Sequence, residues 1–180
     1  YDNGYLVSGN YNIYSGGVYK QWSWVIKTDV NGEILWDKIL EGGDEFMRTT
    51  AIEPTVDGGV FLCGLVWSDL GDTDPYVMKL NACGEKEWCT IFASSTQTNP
   101  WAKDIKEINS GDIIVLVNQY GEDDVEDLDL FKLNSSGEML WKKTYCSGSI
   151  YNQATLPVGR SLYIASENNY IISGYVYWED

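Results

Sequence analysis

Apolar residues along this chain fall in short runs that either alternate with polar ones or cluster in fours and fives, and no window of 11 residues carries a helical stripe. Runs such as Trp24-Val25-Ile26, Tyr76-Val77-Met78 and Leu130-Phe131 are rich in β-branched and aromatic residues, and Gly and Asn punctuate them about every eight to twelve positions. The pattern predicts an all-β fold. One stretch illustrates the expected strands: Met47 to Thr55, Val60 to Trp67, Pro75 to Leu80 and Lys86 to Phe92, followed by a like set from about Ala102 to Tyr145.

The pattern also repeats. Lys27-Thr28-Asp29-Val30-Asn31-Gly32-Glu33-Ile34-Leu35-Trp36 returns as Lys79-Leu80-Asn81-Ala82-Cys83-Gly84-Glu85-Lys86-Glu87-Trp88 and again as Lys132-Leu133-Asn134-Ser135-Ser136-Gly137-Glu138-Met139-Leu140-Trp141, at offsets of 52 and 53 residues. A second signature keeps the same beat. It runs Asp2-Asn3-Gly4-Tyr5-Leu6-Val7-Ser8-Gly9, then Asp57-Gly58-Gly59-Val60-Phe61-Leu62-Cys63-Gly64, then Glu167-Asn168-Asn169-Tyr170-Ile171-Ile172-Ser173-Gly174, with a degenerate copy at Ser110-Gly111-Asp112-Ile113-Ile114-Val115-Leu116-Val117. Asx-x-x-Gly-Glu between apolar runs reads as a tight hairpin, the Asx side chain capping the turn and the glycine supplying a positive φ.

Four antiparallel strands in about 52 residues, too few to bury both faces alone, predict the blades of a β-propeller. The expected blades are 1–43 (strands 2 to 4), 46–94, 101–147 and 152–180 (strands 1 and 2), within a single propeller region spanning 1–180. These make an incomplete arc of a larger propeller, whose apolar end faces further blades or self-association would cover. Trp36, Trp88 and Trp141 are expected to fill the space between neighbouring blades.

Gly-Gly-Val-Phe-Leu-Cys-Gly, followed by Val-Ile-Lys-Thr-Asp-Val-Asn-Gly-Glu-Ile-Leu-Trp-Asp-Lys, resembles the DGGYIIAG and LIKTDxxGNxxWxKTYGG repeats of secreted bacterial and archaeal β-propeller proteins. It is also similar to the Trp-docking blades of quinoprotein-like propellers. The resemblance covers essentially the whole chain and implies fold and an extracellular or cell-surface setting, but no catalytic residue. The third blade departs from it by lacking the Gly-Gly turn and the closing Gly, and Tyr151 to Arg160 reads as an insertion.

Twelve Lys and Arg against 27 Asp and Glu leave a formal charge of −15, which disfavours nucleic acid and anionic membranes as partners. No apolar run is long enough for a transmembrane helix. The absence of His excludes His-dependent triads and imidazole metal sites within these residues. Cys63, Cys83, Cys89 and Cys146 form no CxxC pair, and their spacing leaves both disulfides and free thiols open.

Tight strand 1–2 and strand 3–4 turns lie on one side of the blades, so the longer connections share the other. These connections are expected to carry Tyr11, Tyr14, Tyr19, Trp22, Trp67, Trp101, Tyr120 and Tyr151, a set of rings suited to a sugar or protein surface, with Tyr177 and Trp178 near the end. The acidic stretches Gly71-Asp72-Thr73-Asp74 and Glu122-Asp123-Asp124-Val125-Glu126-Asp127-Leu128-Asp129 read as solvated loops on that side. They are oxygen-rich enough to consider Ca²⁺, although neither matches a Ca²⁺-binding loop motif, and no other cofactor is expected. Lys27, Lys79 and Lys132 read as partners of Glu33, Glu85 and Glu138. The functional expectation is a non-catalytic, exported binding or structural module whose loop face contacts a glycan or surface protein. The alternative is a piece of a quinoprotein-like or other propeller enzyme.

Overall fold

The computed structural model describes residues 4–41, 46–67, 72–93, 99–120, 126–146, 155–166 and 168–178. Within these, the chain is all-β and its sheets are antiparallel. Sheet I has the order β1 (Leu6–Ser15), β2 (Val18–Thr28), β3 (Ile34–Leu40), and sheet II comprises β4 (Phe46–Pro54), β5 (Val60–Trp67), β6 (Thr73–Leu80) and β7 (Lys86–Ile91). Sheet III repeats that order with β8 (Trp101–Glu107), β9 (Ile113–Tyr120), β10 (Glu126–Leu133) and β11 (Met139–Cys146), and sheet IV is the pair β12 (Thr155–Ser166) and β13 (Asn169–Trp178).

The expected turn chemistry is present. In the β2–β3, β6–β7 and β10–β11 turns, the side-chain oxygen of Asp29, Asn81 or Asn134 accepts from two backbone N–H groups, at 2.8 and 2.9 Å, 2.9 and 3.0 Å, and 3.1 and 2.9 Å respectively. The same residue's N–H donates to the carbonyl of Glu33, Glu85 or Glu138, closing each turn. Gly32, Gly84 and Gly137 stand at φ of 86°, 77° and 83°, which side chains with a Cβ rarely adopt. The degenerate β8–β9 turn keeps the left-handed glycine as Gly111, at φ 80°, where the β4–β5 turn has Gly58 at 85°.

The sheets pack face to face in chain order, so a central strand is covered on both sides. Val60–Val66 of β5 and Ile113–Val117 of β9 are buried at every position, which explains their unbroken apolar sequence. Val25 joins Val60, Leu62, Tyr76, Met78 and Leu80 in the core between sheets I and II. Phe61, Cys63 and Val77 meet Ile113, Val115, Phe131 and Leu133 between sheets II and III, and Ile114, Leu116 and Leu130 meet Leu162 between III and IV. Each such side chain contributes about 1.5–3 kcal/mol through removal from water.

The repeated tryptophans lock this stacking. Trp36 donates its indole N–H to the Ala82 carbonyl at 3.0 Å, and a Cβ built on Gly84 would stand 2.9 Å from its ring. Trp88 lies over Gly137 in the same way, 2.6 Å from a Cβ built there. The glycine at each turn therefore serves twice, as the residue that tolerates the backbone and as the seat of the preceding sheet's indole. Trp141 packs against the Leu162 cluster with Tyr170, ring centroids 6.4 Å apart.

A second repeated device is absent from the sequence pattern. β4, β8 and β12 each carry a bulge at one equivalent place, at Thr50, Lys103 and Arg160. Polar bonds to the neighbouring sheet cluster there: Thr50 Oγ1 donates to the Ala102 carbonyl at 2.6 Å, and Asp104 Oδ2 accepts from Leu162 N–H at 2.7 Å. Buried Asn118 makes two 3.0 Å bonds to the backbone of Gly159. These groups hold the strand starts together where the ladder is interrupted.

Three expectations are corrected. The β1–β2 connection is not a loop, since the two strands stay paired to Ser15↔Val18 and turn through Gly16 and Gly17, both with positive φ, as a two-residue hairpin requires. Thr155 to Arg160 is not an insertion but the start of β12, held by buried Val158 and the Asn118 clamp, while residues 151–154 lie outside the described residues. The repeated lysines do not pair with the turn glutamates. Lys79 bonds Asp57 at 2.5 Å and Glu87 at 3.0 Å, Lys132 bonds Asp112 at 2.9 Å, and Lys27 reaches the Gly58 carbonyl at 3.3 Å. From the third strand these ammonium groups reach the strand 1–2 turns more readily than their own hairpin.

Two predictions follow from the turns. Gly84→Val and Gly137→Val incur both a left-handed backbone penalty of about 1–2 kcal/mol and a collision with an indole. Gly32→Val incurs only the first, because nothing lies within 4 Å of its added Cβ. Urea unfolding is expected to rank Gly32→Val mildest, and equal losses at all three would contradict the seat. Asp57 is held at a pKa of about 2, first by the Lys79 hydrogen bond and then by the Thr55 hydroxyl, against an ordinary 3.8. A carboxyl with a depressed folded value stabilises the fold above its unfolded pKa and loses that contribution as pH falls through the folded one. The melting-temperature gap between wild type and Asp57→Asn is therefore expected to be full above about pH 5 and to close between about pH 4 and 2. A gap that does not change with pH would count against the Lys79 pairing.

Candidate functional site

The ends of the sheets opposite the glycine turns carry the rings expected to form a ligand surface, but on strands and not on loops. Tyr11 and Tyr14 lie on β1, Tyr19 and Trp22 on β2, and Trp67, Trp101 and Tyr120 at strand ends. The side chain of Tyr120 and all of Tyr151 lie outside the described residues, as do the side chains of Tyr177 and Trp178.

Strand alternation then divides the set, because successive side chains point to opposite faces. Tyr14 and Tyr19 are register partners, and share a hairpin face with Asn12 and Gln21. Asn12 Oδ1 accepts from the Tyr19 hydroxyl at 3.0 Å and from Gln21 Nε2 at 2.9 Å, so its amide oxygen organises the polar part of that face. Tyr11 and Trp22 are register partners on the other face, beside Trp24, and the Trp22 indole nitrogen is buried without a hydrogen-bond partner.

Tyr19 and Trp67, from different sheets, are joined by a residue the sequence reading missed. The Phe46 ring sits 5.5 Å from Tyr19 and 6.0 Å from Trp67, the latter edge-on at 79°. Phe46 opens β4, so a contiguous row of three rings crosses from sheet I to sheet II. Its only signal was an aromatic at the start of a strand, and nothing local connects it to Tyr19. Trp101 is half-buried at the start of β8, with the Lys103 ammonium 5.0 Å from its ring centroid. Nearby, Asn99 adopts a left-handed φ of 42° and its Oδ1 accepts from Thr73 N–H at 3.3 Å, while the Thr73 hydroxyl donates to the Pro100 carbonyl at 3.1 Å. These bonds fix the base from which Trp101 projects.

The acidic stretches are corrected in part. Thr73 and Asp74 belong to β6, and Glu126–Asp129 to β10. Asp129 is fully buried, with Thr144 Oγ1 donating at 2.6 Å to one oxygen and Lys142 Nζ 2.7 Å from the other, an ion pair without hydrogen-bond geometry. It is a packed structural carboxylate, unsuited to a solvated loop. Residues 121–125 lie outside the described residues, and among the described ones no three His, Cys, Asp or Glu side chains gather as metal ligands. Cys63, Cys83 and Cys89 are free thiols, and burial pushes Cys63 up to about 12, which makes it inert. The Cys146 side chain lies outside the described residues. Among the described residues, no helix is long and apolar enough to cross a membrane.

This arrangement offers stacking faces and amide hydrogen bonds, with the Lys103 ammonium over one of the rings. Comparison with protein-family models and with curated proteins returns no match to this chain.

Removing the central ring tests whether the row is a unit. Phe46→Ala is expected to cost about 3 kcal/mol or less, since the site is only half-buried. Its largest effect among the indole N–H resonances in a ¹⁵N spectrum should fall on Trp67. Unchanged Trp67 in a folded variant would dissolve the row.

Proposed function

We propose that sheets I to IV are successive blades of an exported β-propeller and that the chain acts as a non-catalytic binding module for an uncharged glycan or a surface protein. The four-stranded repeat stacked in chain order, with an indole of each sheet seated on the next, supports the propeller reading. On this reading sheets I to IV make an arc. Val7 and Trp24 of sheet I are 49% and 36% exposed, whereas Leu62 and Tyr76, their equivalents in sheet II, are fully covered by sheet I. Such a face calls for a further blade or a second copy over it.

The ring row Tyr19–Phe46–Trp67, flanked by the Asn12 and Gln21 amides, carries the ligand reading. Flat rings stack on the apolar faces of sugars and fix them at low entropy cost, and amides supply neutral donors and acceptors for hydroxyls. A net charge of −15 weighs against sulfated or phosphorylated ligands.

A neutral-glycan array followed by titration checks this. Tyr19→Ala and Trp67→Ala are each expected to weaken binding about tenfold, the equivalent of about 1.4 kcal/mol, with unfolding midpoints little changed. A glycan bound equally well by both variants would remove the ring row from the site, and no binding to any glycan or surface protein would remove the function.

A further inference from the structure

The interface between consecutive sheets occurs twice in full, and each time it has the same parts. A tryptophan on the fourth strand (Trp36, Trp88) lies under the Asx-x-x-Gly-Glu turn of the next sheet, on a left-handed glycine (Gly84, Gly137). Beside it, third-strand residues of that next sheet fill the space. Phe131 of β10, for example, packs on Phe92 with centroids 5.4 Å apart, and Trp88 and Phe92 both rest on the cluster containing Phe131 and Leu133.

The third instance is half built. Trp141 is the equivalent tryptophan of sheet III, and Tyr145 stands where Phe92 does, but among the described residues sheet IV comprises β12 and β13. Where third and fourth strands lie in sheets II and III, there is instead a groove of about 510 Å³, whose lining includes Leu130, Lys132, Trp141, Tyr145, Tyr170 and Ile172. Tyr145 is 48% exposed. Among the described strands, β13 has no partner on the side away from β12, so one row of ladder donors and acceptors runs along the groove.

We propose that this groove is a receptor for a β-hairpin of the chain's own repeat type, which pairs along β13 and seats the glycine of its Asx-x-x-Gly-Glu turn on the Trp141 indole. The occupant follows from continuity with the two complete interfaces, where the same positions hold just such a hairpin. A second copy of the folded chain fits less well. Its β2–β3 hairpin has a suitable empty glycine, Gly32, but β1 is already paired to β2 on the side that would have to meet β13. The inference rests on the repeated seat and not on the glycan reading.

The test uses the whole chain and a synthetic hairpin of residues 126–145, with its Gly137→Val form as control. Binding is read by the Trp141 indole N–H resonance and by slowed hydrogen exchange along β13. The wild-type peptide is expected to bind, with at least tenfold loss for the Gly137→Val peptide and for Trp141→Ala protein. The exchange readout on wild-type protein stands even if that variant folds poorly. No binding, or binding indifferent to both changes, would overturn the proposal. So would binding lost in Trp88→Ala but kept in Trp141→Ala, which would mean exchange into sheet III, and so would self-association that the peptide fails to displace. Glycan binding by the same preparation, retained or lost, is a separate readout.

Discussion

A tryptophan can lie flat on the next sheet only where that sheet's turn has no side chain, and the turn can close only where its residue tolerates a positive φ. Gly84 and Gly137 satisfy both conditions at once, which couples the shape of a hairpin to the spacing between sheets. The apolar clusters supply most of the free energy, yet they are rows of Val, Ile and Leu that could slide in register. The indole on its glycine, with the Trp36 to Ala82 hydrogen bond, fixes where one sheet stops relative to the next.

The bulges at Thr50, Lys103 and Arg160 answer a different requirement at the first strand of each unit. A bulge frees backbone groups from the ladder and turns them toward the neighbouring sheet, where Thr50, Asp104 and Asn118 bond across. Between the Trp88 seat on the outer strands and the Thr50 clamp on the first ones, sheets II and III are held together at two separated places. With that scaffold fixed, the β1–β2 hairpin and the end of β5 can project rings that pack on one another without belonging to the main core.

What could be read from the sequence was what local chemistry decides. Asp29, Asn81 and Asn134 cap their own turns within four residues, and the offset between copies exposed the repeat, so strand order and turn conformation were legible. The bulges were not, because Thr50, Lys103 and Arg160 are ordinary polar strand residues with no turn-forming side chain, and only the backbone irregularity repeats. Tyr11, Tyr14, Tyr19 and Trp22 were expected on a longer connection, but the Gly16-Gly17 turn keeps the strands paired well past the core. Asp129 looked solvated because its partners, Thr144 and Lys142, lie on the adjacent strand. Tyr19 and Trp67 were identifiable as surface rings, whereas Phe46, which joins them, depends on how two sheets meet.

The most direct test of the seat is a double-mutant cycle between Trp36 and Gly84 by equilibrium denaturation. Gly84→Ala adds one Cβ against the indole, so its destabilisation should fall by about 1 kcal/mol or more once Trp36 is already Ala, leaving only the strain of a left-handed alanine. Equal penalties in both backgrounds, within about 0.5 kcal/mol, would mean that the glycine serves its turn alone and that the sheets are spaced by something else.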